Sequence, residues 1–536
     1  MQEIKLRGII MRKKKWITWF SLFILIFICI IWSRNLLSEG NNENMKINIK
    51  ENTNEITLHF SADNRLPYSW YADWIVFDSF IRSVYGTLTE LTPSGLFNTE
   101  SEHSILDFIE SEKGDPSKLI FRIKKGQYFE KNGEKIEFTS EDLKFSYSIP
   151  FFLEKEDIFE KSDLMKIKGM EVIKAGEVYS EDKVTGIEIL DRYTIKIILK
   201  YPDPNIITNL STSKYPIVSK YFYLNKKNDD LTPGLGKYEV FKIDKNTGEV
   251  ILKRKKHVDN YPDYIKYIST ADKKGDIFWS ESWGNLNSKF EKKTIKTPVG
   301  TLGILFNYDS SIGKNHLFRK AIEFAINRNE LVKEFEYYLL PNNEVLPNGY
   351  WGRIEEIERY NTQLAKHLLS KIKDIPNPLV IDAVLNEGEL EAPFILRILN
   401  QLREVGLNPI LKLHKGEEPF NSAISITAIA VPYKNPSSVF QFFVDGSVYK
   451  NSYPRNDKNL ANLIYSLETS FLDKDKLKYA QMLSRYFYEN NVFIPLWDFL
   501  NVFYVNKDTI ETLGNQPGGM NFNIWEVKIK NGEKKI

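Results

Sequence analysis

The sequence predicts an α/β protein with a strand-rich first half, a second half of alternating helices and strands, and an apolar N-terminal anchor. Three observations carry that reading. Up to about residue 310, apolar and polar residues alternate with the period of two expected of half-buried strands. Beyond that point the apolar positions recur at helical spacing, and short apolar runs of strand length separate the helical stretches. Ahead of both halves, Lys5, Arg7, Arg12, Lys13, Lys14 and Lys15 precede an uncharged apolar stretch from Trp16 to Trp32.

That stretch is at the short limit for a membrane-spanning helix and slightly long for a signal-peptide core. The basic flank keeps the N-terminus cytoplasmic and places the remainder on the exported face. Three fates stay open. The anchor is retained, or Cys29 is lipidated, or the leader is cleaved; bulky Phe27, Ile28, Ile30 and Ile31 around Cys29 fit lipidation poorly, and Trp32-Ser33-Arg34 fits cleavage poorly. Cys29 is the single cysteine, so disulfides play no part in the exported portion. Residues 1–37 are thus read as leader and anchor, and the Asn- and Lys-rich residues 38–54 as a tether.

With 536 residues the chain is long enough for two to four units of about 100–200 residues each. Hydrophobic residues make up 42% of it, ample for sizeable cores. The 73 basic residues nearly balance the 71 acidic ones, leaving a net charge of +2 without a dominant basic patch, which argues against a nucleic-acid partner.

Taken in order, "EITLHF" from Glu55 begins the structure as an alternating strand, and Ile75 to Leu91 follow with helical spacing. Lys118 to Phe129 alternate again, and Asn132-Gly133 supplies the positive φ angles of a tight hairpin turn. Thr139 or Ser140 caps the next helix, with Glu141 and Asp142 at its positive end. Two more hairpins follow, Val184 to Lys200 and Gly236 to Lys255. Then His316 to Phe335 places Phe318, Ile322, Ala325, Ile326 and Leu331 on one helical face. Further amphipathic helices ("YNTQLAKHLLSKI", "EAPFILRILNQLREVGL", "KDKLKYAQMLSRYFYEN") alternate with the strands "PLVIDAVL", "ISITAIAV" and "VFIPLW".

Nothing in this order points to catalysis. The six histidines, His59, His103, His257, His316, His367 and His414, show no metal-ligand spacing, and neither a phosphate-binding glycine loop nor a nucleophile elbow occurs. The chain is therefore read as a non-enzyme, with no metal or cofactor. Aromatic residues are the other available chemistry: Trp70, Trp74, Trp279, Trp283, Trp351 and Trp497, several beside Gly or Ser, suit the walls of an organic-ligand site.

Six segments in order resemble the extracellular solute-binding proteins of family 5, the oligopeptide, dipeptide and nickel binders of bacterial ABC transporters. "FRIKKGQYFEKNGEKIEFTSEDLKFSYS" matches the family's strand, glycine turn and helix through Phe121, Gly126, Phe129, Gly133, Asp142 and Ser146. "IEILDRYTIKIILKYPDP" resembles the next hairpin, "PGLGKYEVFKI" a glycine turn through Gly234, Gly236 and Tyr238, and Gly275 to Ile277 a further step. The fullest match is "ILFNYDSSIGKNHLFRKAIEFAINRNELV", through Phe306, Asn307, Arg319, Ala321, Ala325, Ile326 and Arg328, with Asn327 where the family has Asp. "YNTQLAKHLL", "LREVGL" and "FIPLW" then follow in the family's order.

The resemblance implies a two-lobed periplasmic-binding-protein-like fold of type II with an extra β-rich subdomain. Residues 55–301 would form the first lobe, 302–500 the second, and 501–536 would return to the first, with crossings near Leu302–Asn307 and Phe493–Leu500. It also implies capture of a peptide or other small solute between the lobes and delivery to an ABC permease in the bacterial cell envelope. The alternative is a surface sensor that keeps the fold without transport.

"AVPYKNPSSVFQFF", from Ala430, aligns with a family loop in which an Asp grips the ammonium of a peptide. Pro432 stands at that position and Ile429 where an aromatic is common. Proline offers neither side-chain acceptor nor N–H, so an ordinary free-amine peptide is a poor fit unless another loop supplies the acid. Ile429, Ala430, Val431, Pro432 and Tyr433, with Trp279, Trp283, Trp351 and Trp497, are the expected ligand-facing residues. Ser437 and Ser438 are read as caps of the helix that follows.

Overall fold

The structure is a computed structural model that describes residues 54–59, 78–92, 97–153, 163–226, 231–244, 247–268, 275–279, 288–383, 393–413, 421–430, 434–445, 451–470, 473–514 and 522–530. The expected anchor at Trp16–Trp32, the tether, Trp70, Trp74, Trp283 and Val431–Tyr433 lie outside these residues. Among the described residues no helix is long and apolar enough to cross a membrane. The chain divides into two compact units. Lys296–Val502 make up the described part of the central unit; the flanking unit takes Lys46–Ser280, Asn285–Ile295 and Phe503–Ile536.

In the flanking unit, β1 (Glu55–His59) leads to the helix Asp78–Tyr85. The helical pattern in the sequence runs on to Leu91, but Gly86 takes a positive φ of 72° and ends the helix there. The N–H groups of Leu235 and Gly236 then donate to the Tyr85 and Val84 carbonyls at 3.1 and 2.9 Å. Only glycine permits that approach: a Cβ on Gly236 would stand 2.0 Å from the Ser83 carbonyl oxygen, and one on Gly234 2.2 Å from that of Val84.

Two short strands, β2 (Glu90–Leu91) and β3 (Phe97–Asn98), pair with each other. Next come β4 (Leu106–Glu112), β5 (Asp115–Ile123), β6 (Tyr128–Lys131) and β7 (Glu134–Glu137). β6 and β7 form the expected hairpin, with Asn132 and Gly133 at φ 54° and 83°. The helix Ser140–Phe152 starts as the sequence predicts: Asp142 accepts the Thr139 N–H at 2.9 Å and also holds the Lys220 N–H at 2.9 Å. β8 (Ile187–Asp191) and β9 (Thr194–Ile198) complete a four-stranded sheet in the order β4-β5-β9-β8. Phe121, Ile123, Ile195 and Ile197 from this sheet share one core with Leu143 and Phe145 of the helix. Each such side chain contributes about 1.5–3 kcal/mol of burial.

β10 (Tyr238–Ile243), β11 (Val250–Arg254), β12 (Tyr264–Ile268) and β13 (Ile277–Trp279) join β1 in the order β10-β11-β12-β1-β13, part of a larger sheet. β1 runs parallel to both β12 and β13.

The central unit is built on β14 (Phe290–Phe306), β15 (Leu339–Pro341), β16 (Leu379–Ala383), β17 (Pro409–Leu413), β18 (Ile424–Ala430) and β19 (Phe493–Asn506). β18 pairs antiparallel with β14 and parallel with β16, and β16 is parallel to β17. β15 adds to β19. The last residues of β19 belong to the flanking unit, where Val505 opposes Ile277 of β13. Two final strands there, β20 (Ile510–Thr512) and β21 (Lys528–Ile529), pair with each other.

β14 and β19 carry the chain from one unit into the other, at Ile295–Lys296 and Val502–Phe503. The crossings expected near Leu302–Asn307 and Phe493–Leu500 lie further into the central unit. Both observed crossings fall inside continuous strands, where no turn or composition change marks them.

The long helical run from His316 divides. One helix covers His316–Ala325, Ile326 is extended, and Asn327 accepts the Glu330 N–H at 3.1 Å to cap a second helix, Arg328–Val332. Phe318, Ile322 and Ala325 are fully buried, as the spacing predicts. The two arginines of this segment serve the fold. Arg319 donates to the carbonyls of Lys314 at 2.7 Å and Asn490 at 3.1 Å, while buried Arg328 pairs with Glu323 at 2.8 Å and donates to Pro495 O at 2.7 Å.

Candidate functional site

β18 ends at Ile429 and Ala430, which oppose Thr301 and Gly300 of β14. The chain is described again from Lys434, and the helix Pro436–Asp445 follows. Its start differs from the expected serine cap. Asn435 accepts the Ser437 N–H on its side chain at 3.0 Å, and Pro436 takes the first helical position, where a missing N–H costs nothing. Ser437 is buried instead.

Lys434 is half-buried, and burial alone holds its ammonium below the usual lysine range. Its Nζ lies 3.7 Å from where a Cβ would stand on Gly349, whose positive φ of 76° turns the segment between β15 and the helix Thr362–Leu369.

That segment is held by a buried polar network centred on Asp498 of β19. Asp498 is fully buried. Thr301 Oγ1 and Asn342 Nδ2 donate to its Oδ1 at 2.5 and 2.8 Å. The Asn348 N–H and Nδ2 donate to its Oδ2, each at 2.7 Å. Burial nevertheless raises the carboxyl from 3.8 to about 6, outweighing those donors and the charge of Arg353. Arg353 donates to Asn342 Oδ1 at 2.9 Å and pairs with buried Glu344 at 3.5 Å. Glu344 in turn accepts the N–H groups of Ile354 and Glu356 at 2.8 and 3.0 Å. The network fastens both ends of the segment that carries Gly349, Tyr350 and Trp351.

The expected site residues fall into three groups. Ile429 and half-buried Trp351 pack into one apolar cluster with Val439 and Phe440, close in the chain to Lys434 and Gly349. Trp497 lies elsewhere: it is fully buried in the other core of the central unit, its ring 5.4 Å from Phe394 and 6.5 Å from Phe499. Strand alternation explains this, since Trp497 and Asp498 point to opposite faces of β19. Trp279 of β13 opposes Phe503 of β19, and Ala430 ends β18; their side chains, with Val431, Pro432, Tyr433 and Trp283, lie outside the described residues.

Asp498, Thr301, Asn342, Asn348 and Lys434 are absent from the residues expected on sequence grounds. One signal was available: "FIPLWDFL" sets a single acid inside an apolar strand, and such a charge needs donors from elsewhere in the fold. Those donors come from residues 150 to 197 positions away in the chain, which no local spacing reveals.

Solved structures match the fold along nearly the whole chain. The periplasmic binding protein DppA of Helicobacter pylori, in complex with the peptide STSA, is 17% identical with a TM-score of 0.64, covering 89% of this chain and 98% of its own. The periplasmic murein tripeptide binding protein MppA, in an unliganded open form, is 15% identical with a TM-score of 0.72 and the same coverage. NikZ of Campylobacter jejuni, in complex with Ni(L-His), is 16% identical with a TM-score of 0.62, covering 89% of this chain and 100% of its own. A search of curated protein sequences returned no match. The sequence model described as bacterial extracellular solute-binding proteins, family 5 Middle, matches residues 105–451. With that match over more than half its length, the chain belongs to the family 5 bacterial extracellular solute-binding proteins.

Proposed function

We propose that this protein is an exported, membrane-tethered binding protein that captures a peptide or other small organic solute and delivers it to an ABC permease. Family membership carries the reading. The neighbours' ligands, a tetrapeptide for the Helicobacter protein and a nickel–histidine complex for the Campylobacter one, define the range of solutes to test. The tether is assigned to Trp16–Trp32, at the exported face of the cytoplasmic membrane.

Charge narrows the solute class. Pro432 removes the acid that would hold a ligand ammonium, and Lys434, two positions on, brings a desolvated cation instead. A desolvated ammonium without a carboxylate partner among the described residues favours a solute with a carboxylate, or another anionic group, at this loop. N-blocked or acidic peptides and small organic acids meet that requirement. Unblocked peptides lacking acidic side chains meet it poorly.

A thermal-shift screen of the full chain in detergent tests the proposal. Free and N-acetylated tripeptides, di- and tricarboxylates and nickel–histidine are compared. A ligand at about a hundred times its Kd stabilises the native state by about 2.7 kcal/mol, a readable rise in Tm. A saturable rise with one class supports solute capture. No response to any class, with capture of a partner protein from the membrane, replaces the reading with the surface-sensor alternative.

A further inference from the structure

In the flanking unit, three side chains with metal-ligating atoms meet although they lie far apart in sequence. Glu90 comes from β2, His103 from the turn before β4, and Glu526 from the short 3-10 turn Ile524–Glu526 near the C-terminus. One donor atom from each lies within 4.8 Å of the other two. His103 Nε2 stands 3.8 Å from Glu526 Oε1, and the two side chains are only 17% and 18% exposed. Glu102 places an oxygen 3.6 Å from the same Nε2.

We propose that Glu90, His103 and Glu526 form a binding site for a divalent transition-metal cation of the zinc type. One imidazole and two carboxylates are a donor set such ions accept. Zinc bonds of about 2.0–2.2 Å put tetrahedral donors about 3.3 Å apart, so the observed separations close on an ion by small side-chain rotations. The charge also fits. Two carboxylates beside the imidazole attract a dication, with Lys237 and Arg254 offsetting part of their charge.

The surroundings orient the donors, as outer partners do in metal sites. Asn523 Nδ2 donates to Glu90 Oε1 at 3.1 Å, and the Ser101 hydroxyl donates to Glu90 Oε2. Each oxygen keeps a lone pair for a cation. Asn523 is itself held by Arg82, whose Nη1 donates to its Oδ1 at 2.5 Å. The Trp525 ring packs edge-on to His103 at 5.6 Å and closes one side. Burial lowers the basicity of the imidazole, which favours the neutral form a metal needs. The consequence is structural: the ion would fasten the segment after β20 to the β2–β3 hairpin and the turn before β4, so part of the unit's stability would depend on metal. This inference is independent of the solute-binding reading.

The test is calorimetric titration of chelator-treated full-length protein with zinc chloride, alongside Tm measurements with and without zinc. Wild type is expected to bind one equivalent at this site and to gain Tm. His103→Ala and the near-isosteric Glu526→Gln should each weaken that binding at least about tenfold, since changes even to outer-shell partners cost 10–100-fold. His316→Ala, in the other unit, should leave it unchanged. If His103→Ala fails to fold, Glu526→Gln and the visible absorption of cobalt-loaded wild type still decide the matter. Absence of zinc binding, or binding unaltered in Glu526→Gln, overturns the proposal.

Discussion

Replacing Asp498 by Asn sets two opposing effects against each other. Thr301, Asn342 and Asn348 send four hydrogen bonds to the carboxylate, which taken alone would hold its pKa down. Full burial acts the other way and prevails, lifting the carboxyl from 3.8 to about 6. The protonated form is thus the one the fold favours. The stability this brings is fully present below about pH 4 and is lost as pH rises through about 6. At about 1.4 kcal/mol per tenfold change in proton affinity, the loss amounts to about 3 kcal/mol. The Asp498→Asn variant carries no such dependence. It suffers instead a constant loss of about 1–3 kcal/mol, because the amide NH2 faces donors where an oxygen was. The assay is Tm from pH 4 to 8 for both proteins, taken as a difference so that other titrating groups cancel. Wild type minus Asp498→Asn should fall between about pH 4 and 6 and level off above 7. A difference that is flat, or that rises with pH, refutes the reasoning and makes the four donors stronger than burial.

Other outcomes follow from the same geometry. Gly236→Ala drives a Cβ to 2.0 Å from the Ser83 carbonyl, so it should cost several kcal/mol, about 3 or more, measured as a large loss in denaturant midpoint. Asn327→Ala removes the cap that restarts the helix at Arg328 and should cost about 1 kcal/mol by the same measurement. Lys434→Gln should weaken a carboxylate-bearing solute about tenfold or more in calorimetry and leave the fold intact, since the side chain is only half-buried. Pro432→Asp should improve binding of free-amine peptides; no change would show that the pocket differs at more than this position.

Much of the fold could be read from local pattern because its causes are local. The Asn132-Gly133 hairpin, the Thr139–Asp142 helix start and the buried face of Phe318, Ile322 and Ala325 each depend on residues within a turn or two of one another. Two misses were local choices between neighbouring signals: the helix at Asp78 stops at the positive φ of Gly86, and Asn435 rather than a serine caps the helix at Pro436.

The candidate site was legible only in outline. The altered loop at Pro432 stands out in the sequence, and Ile429 and Trp351 do share a cluster. Trp497, an equally plausible aromatic, lies in the core, because which face of β19 meets the helices is settled by sheet pairing.

By itself, then, the sequence determined the class of fold, its family and most helix and strand positions, since periodicity, capping and turn chemistry act over a few residues. Which polar groups meet depends instead on contacts between distant parts of the chain. Asp498 finds its donors in Thr301 and Asn342, and Glu90 and His103 find Glu526, through chain reversals whose contacts leave no mark in local spacing.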